Sequence, residues 1–327
     1  TEDVQGAITN SGSIASAEGI ALHLRGDTQG ITNSGTLSGL IGLDVRGTVA
    51  GDVSNTGTIT ATGDGIMLGA VGTVTNSGTI TAANLGIYAE EAQSVLNSGT
   101  ITVTGDEAIG IFVNGTSPVV NRGSVTANGT GSAAINLAGA AQTLVNSGTI
   151  ASDNVAVASN GDDTVVMAVG SSVTGAIRST GTGSTLYFGA AASVTPTSAI
   201  LASASNAFSM TYGGVASNFN TVFMAGTTNF NGTSGTSTLN TSAILAGATF
   251  RDNSTVQFTA TGSLPTGITL PTTTATNVAL YNMGTLGGKG RLVLRSFSGG
   301  LGTMVNTGTI APGNSIDTLT IDGNVQN

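Results

Sequence analysis

His23 is the single histidine of the chain, so an imidazole general base would have to be this residue. It lies between Leu22 and Leu24, and on a strand whose leucines point inward it points to solvent. A Ser-His-Asp arrangement would also need an Asp brought against it from another part of the chain. No nucleophile elbow is present, and neither a protease nor an esterase is expected. Asp162-Asp163, Glu90-Glu91 and Asp106-Glu107 are adjacent acidic pairs. Neighbours on a strand face opposite sides, so the members of a pair can act together only at a turn. They read as solvated corner charges, with carboxylate chemistry on a polysaccharide as the alternative. A calcium site wants about six to eight oxygens, and the Gly-Gly-x-Gly-x-Asp nonapeptide that supplies them is absent. Gly287-Gly288-Lys289-Gly290 imitates a phosphate loop, but Met283 stands where its first Gly belongs and Gly290 follows the Lys in place of Ser or Thr. No catalytic residue, metal site or cofactor is therefore expected. The candidate binding residues are Arg25, Gly26 and Asp27, which at a turn can offer paired charges to an integrin-type receptor. Arg46-Gly47-Thr48 shows that Arg-Gly also serves as an ordinary corner.

These residues are set in a repeat. Ile8-Thr9-Asn10-Ser11-Gly12-Ser13-Ile14 returns as Ile31-Thr32-Asn33-Ser34-Gly35-Thr36-Leu37, and its Asn-x-Gly core recurs at Asn55, Asn76, Asn97, Asn121 and Asn146. Successive Asn residues are 23, 22, 21, 21, 24 and 25 positions apart. A second word follows, as in Gly19-Ile20-Ala21-Leu22 and Gly65-Ile66-Met67-Leu68. A fixed period in this range is the mark of a solenoid. Apolar residues alternate with Thr and Ser, as at Thr79-Ile80-Thr81, which is a strand signal. Three short strands and three corners fill a unit of about 22 residues, which predicts an all-β, right-handed parallel β-helix with three strands per coil. At the corners, Asn and Gly are expected to take left-handed backbone, and stacked Asn side chains to hydrogen-bond up a column. Asn114-Gly115 could instead close an antiparallel hairpin, but the equivalent positions in other units lack that signal, so a corner is expected there too.

Composition narrows the function. Only 8% of residues are charged, against about a quarter in an average domain. The net charge is -9, and mean hydropathy is +0.28, too apolar for a disordered chain. No basic patch is available to gather a phosphate backbone, so nucleic acid is not an expected partner. No apolar run is long enough for a membrane-spanning helix. The absence of Cys removes disulfides and thiolate metal sites. The first residues do not resemble a signal peptide, which is expected to lie upstream or to have been removed.

After Gly148 the repeat word blurs, and it returns near the end of the chain. Gly284-Thr-Leu-Gly-Gly-Lys-Gly290, Asn306-Thr-Gly-Thr-Ile-Ala-Pro-Gly-Asn-Ser-Ile316 and Leu319-Thr-Ile-Asp-Gly-Asn324 resemble the passenger-associated repeat of Gram-negative autotransporters. Three regions are accordingly expected: regular coils over 1–160, less regular coils with loops over 161–280, and the passenger-associated repeat over 281–327. The clearest loop falls at 264–274, and the last region is expected to begin a folding seed, with Met283, Leu286, Leu292, Leu294, Phe297 and Met304 in its core. The resemblance implies a secreted or surface-displayed rod on a Gram-negative bacterium, delivered by an outer-membrane barrel C-terminal to Asn327. It further implies an adhesin or an autoaggregation and biofilm rod, binding host-cell or bacterial surfaces or itself through many weak contacts. A hydrolytic or carbohydrate-active enzyme on the same scaffold and a structural stalk or fibre unit are the alternatives.

Overall fold

The computed structural model describes residues 3–168, 170–181, 184–190, 209–213, 215–217, 221–224, 227–230, 236–240, 243–250, 255–260, 275–312 and 318–327. Among these residues there is no helix, and the named strands pair in parallel as a β-solenoid consistent with right-handed winding. The chain divides into two compact units, Thr1–Asp163 and Thr164–Asn327.

In the first unit three inward ladders mark the three strands of each coil. Leu37, Ile59, Ile80, Ile101, Val125 and Ile150 stack in register along one, all fully buried. Ile31, Val53, Val74, Val95 and Val119 form the second, and Leu43, Ile66, Ile87, Ile111 and Ile135 the third. Each such side chain contributes about 1.5–3 kcal/mol by leaving water. Branched side chains suit these positions because they fill a pleated surface with little loss of rotamer freedom. Ile109–Val113 and Val119–Asn121, on either side of Asn114-Gly115, each pair in parallel with strands of other coils, so this dipeptide is a corner of the coil and not a hairpin.

The repeated Asn builds a continuous buried column. The side-chain amide of Asn10 donates to Asn33 Oδ1 at 2.7 Å, and the same bond runs through Asn55, Asn76, Asn97 and Asn121 to Asn146 at 2.7–2.8 Å. The expected left-handed backbone at these corners is not found. Positive φ angles occur elsewhere, at Glu107, Ala141 and Asn277 and at glycines such as Gly115, but not at the Asn or Gly of the repeat word. The Gly is required by stacking instead. A Cβ on Gly35 would lie 1.9 Å from the Gly12 carbonyl oxygen, and one on Gly78 would lie 2.0 Å from that of Gly57. Coils separated by a single strand spacing leave no room there for even a methyl group.

The second unit uses the same grammar. Asn282 donates to Asn306 Oδ1 at 2.7 Å, and Asn306 to Asn327 Oδ1 at 3.0 Å, in a second amide column. Leu286, Leu292, Leu294 and Met304 are fully buried, as expected. Met283 and Phe297 are not core residues: they are 38% and 80% exposed. Met283 follows Asn282 at the corner position that Ser fills in the repeat word, which points outward, and Phe297 sits in the turn after the strand Gly290–Arg295. The loop expected at 264–274 and residues 313–316 of the passenger-associated repeat lie outside the described residues.

Candidate functional site

Alternation in the strand Ile20–Leu24 sends His23 outward, as the sequence predicts. Directly beside it in register stands Asp44, at the end of the strand Thr36–Val45. The column continues through Met67, Tyr88, Phe112 and Asn136, each at the equivalent position of the next coil. Two residues further along each coil a second outward column holds Arg25, Arg46, Gly69 and Glu90.

These columns assemble a charged network. His23 Nδ1 lies 3.0 Å from Asp44 Oδ2, and Arg46 Nε donates to the same oxygen at 3.0 Å. Arg25 Nε donates to His23 Nε2 at 3.1 Å. A neutral imidazole that accepts at Nε2 carries its proton on Nδ1, toward the carboxylate. The structure therefore brings an Asp from a neighbouring coil against the only His, which is two-thirds of a Ser-His-Asp triad. The third part is not assembled: Arg25 occupies the nitrogen that would receive a nucleophile's proton, and no described Ser or Thr hydroxyl hydrogen-bonds to His23. Asp44 faces outward yet is only 1% exposed. Its Oδ2 takes both donors, and no described donor reaches Oδ1.

Beside this network is a cleft of about 130 Å³ lined by Asp44, Arg46, Met67, Gly69, Tyr88 and Glu90. Gly69 makes it. With no side chain between Arg46 and Glu90, the column is notched, and a Cβ at Gly69 would meet nothing closer than the Gly47 carbonyl oxygen at 3.9 Å. Tyr88 is held by Phe112, whose ring stacks on it at 5.0 Å and 10°. A second concavity of about 340 Å³ is lined by residues further along the same coils, among them Thr48, Ala70 and Glu91.

Arg25, Gly26 and Asp27 form a corner with internal partners. Besides the bond from Arg25 to His23, Asp27 accepts the Thr48 N–H at 2.6 Å, and its own N–H donates to Asp3 Oδ1 at 2.9 Å. Both Arg25 and Asp27 remain exposed. The carboxylate bond belongs to a recurrent device. Asp52 accepts the N–H of Thr73, Asp64 that of Leu85 and Asp106 that of Thr130, each one coil further on. At corners the ladder breaks, and the Asp oxygen satisfies the backbone donor that would otherwise lack a protein partner.

The acidic pairs follow strand geometry only in part. Asp162 is exposed, as solvated charges should be, whereas Asp163 is buried and accepts from the Gln142 N–H and the Ser159 hydroxyl, each at 2.7 Å. Asp163 thus corrects the reading of that pair as solvated: it closes a turn from within. Glu90, Glu91, Asp106 and Glu107 are exposed. Among the described residues no group of three or more His, Cys, Asp or Glu side chains could hold a metal ion. At Gly287–Gly290 the Lys289 N–H donates to the Phe250 carbonyl oxygen at 2.9 Å, and a Cβ on Gly288 would lie 2.0 Å from that same oxygen. Those glycines serve strand contact.

Asp44 and Gly69 are absent from the residues that sequence reasoning singles out. The signal for Asp44 was its distance from His23, 21 positions, which is one coil period. Gly69 carried no signal, because a notch exists only relative to the side chains above and below it. No family model, curated protein or solved structure matches this chain.

Proposed function

We propose that this chain is the passenger region of a Gram-negative autotransporter, displayed at the cell surface or secreted, and that it acts as an adhesin or an autoaggregation and biofilm rod. The observation that carries this reading is a grid of identical outward positions in unshifted register. Thr58, Thr79, Thr100, Ser124 and Thr149 form one column, and Thr60, Thr81, Thr102 and Thr126 form the next. No described residue hydrogen-bonds to the hydroxyls of Thr58, Thr60, Thr79, Thr81, Thr100 and Thr102. The grid is uncharged and repeats at the strand spacing of about 4.8 Å. Each hydroxyl and methyl pair offers one weak contact, and repetition along the coils sums them, because a second contact forms at high effective concentration once the first is made. The partner in this reading is a host-cell or bacterial surface, or a second copy of the chain. An outer-membrane barrel would follow Asn327 in the precursor.

Beads carrying the full chain test the reading. They should clump with one another or bind bacterial or host cells in a dose-dependent way, and Thr79→Lys with Thr100→Lys should reduce this by introducing like charges across the grid. Clumping and cell binding no greater than with albumin-coated beads would overturn it.

A further inference from the structure

The geometry points to the cleft between Arg46 and Glu90 as a binding site for one neutral glycosyl unit of a carbohydrate. This rests on the surface-contact function proposed above and names the chemistry of one such contact. The walls are a guanidinium and a carboxylate, and the floor includes the Met67 side chain and the Tyr88 ring. Arg46 is anchored through Nε on Asp44, and no described acceptor engages its terminal nitrogens. Asp44 brings a second, independent observation. A carboxylate oxygen on a side chain 2% exposed is without any described donor, and buried polar atoms are otherwise nearly always paired. The fitting ligand presents hydroxyl donors and acceptors close together and an apolar face beside them. A pyranose ring does both: its hydroxyls meet Asp44, Arg46 and Glu90, and its C–H face lies on Tyr88 and Met67.

Charge and size select among sugars. The formal charges of the lining residues Arg46, Asp44 and Glu90 sum to -1, which disfavours uronic or sialic acids and phosphorylated sugars. The volume of about 130 Å³ is far below the roughly 300–1,000 Å³ of sites for drug-sized molecules, so one ring fits. The neighbouring concavity of about 340 Å³ gives an adjoining unit of the chain somewhere to lie. A single small ring held by a few hydrogen bonds binds weakly, and display of many copies on a cell supplies avidity.

The test is saturation-transfer NMR on the full chain with the methyl glycosides of glucose, galactose, mannose and N-acetylglucosamine, and with glucuronic acid as the charged probe. At least one neutral glycoside should receive saturation, and glucuronic acid should receive less. Gly69→Leu fills the notch where a Cβ has open space, so it should abolish the signal while leaving the circular dichroism spectrum unchanged. Glu90→Gln and Arg46→Met, both at exposed positions, should each weaken binding about tenfold, and they carry the test if the Leu variant fails to fold. No transfer to any neutral glycoside, or transfer that survives in a folded Gly69→Leu variant, would overturn the proposal. Cell adhesion without glycoside binding would sink the cleft and leave the adhesion reading standing. Glycoside binding without cell adhesion would do the reverse.

Discussion

Asn76 donates to Asn97 Oδ1 across 2.8 Å while its own Oδ1 accepts from Asn55 at 2.8 Å, so a single buried amide joins three successive coils. The same nitrogen reaches the Gly78 carbonyl oxygen at 3.4 Å. Asn76→Ala removes the partner of a donor below and an acceptor above, and should cost about 2–4 kcal/mol. Urea unfolding should show the loss, and hydrogen exchange should place it in the coils on either side. A loss spread evenly over the chain, or none, would mean that the column adds little to stacking.

The two glycine environments predict opposite outcomes for one substitution. Gly78→Ala drives a methyl group to 2.0 Å from the Gly57 carbonyl oxygen, which the backbone can relieve only by parting the coils. It should destabilise the unit by about 3 kcal/mol or more. Gly12→Ala occupies the same place in the repeat word, yet nothing lies within 4 Å of its Cβ, and the protein should tolerate it. Equal melting temperatures for the two variants would refute stacking as the reason for Gly.

Asp27 holds the Thr48 N–H with one oxygen. Asp27→Asn keeps an acceptor there and should leave stability nearly unchanged, while Asp27→Ala should cost about 1 kcal/mol. Binding of cells to immobilised protein should be the same for the Asn variant as for the native chain. Loss of most binding in that folded variant would show that the exposed carboxylate is read by a receptor and is more than a corner bond.

Two titrations bear on the second unit in opposite senses. The side-chain bonds from Arg295 and Arg291 at 2.9 and 2.7 Å hold the Asp322 carboxyl below the ordinary carboxylate range. Its contribution is therefore complete above that range and is lost as pH falls through the lowered value. Hydrogen-exchange protection in the strand Leu319–Asp322, taken relative to the intrinsic exchange rate at each pH, should fall in acid, and Asp322→Asn should show the lower protection already at neutral pH.

Burial pushes the Tyr187 hydroxyl from 10.0 up to about 12. The unfolded chain releases this proton first as pH rises, so stability should fall above pH 10 and continue to fall toward 12. Burial raises Tyr281 as well, so ultraviolet titration should find late phenolates of which Tyr187→Phe removes one. A titration in which every tyrosine ionises with its midpoint near 10.0 would contradict the burial.

Much of the fold is legible in the chain because repetition makes local pattern and global stacking the same information. The spacing of Asn10, Asn33 and Asn55 sets the coil length, and the alternation at Thr79-Ile80-Thr81 sets which side faces in. The copy at Asn282-Met283-Gly284 escapes notice because Met stands where Ser usually does, and the same substitution makes Met283 look like core. Phe297 misleads for a related reason: hydrophobicity alone does not say whether a residue lies on a strand or in the turn after one.

The sequence by itself determined the strands, the parallel solenoid and the polar amide column, since each follows from residue type at a fixed period. Only the tertiary structure decided that the repeat-word Gly answers to the carbonyl one coil below, that Asp27 is a corner bond, and that Asp44 joins His23 beside a notch at Gly69. These are relations between residues about 21 positions apart, across a strand spacing of about 4.8 Å. At that separation in sequence, side chains have no local signature, and only the register of one coil on the next brings a carboxylate, an imidazole and an empty position into the same few ångströms.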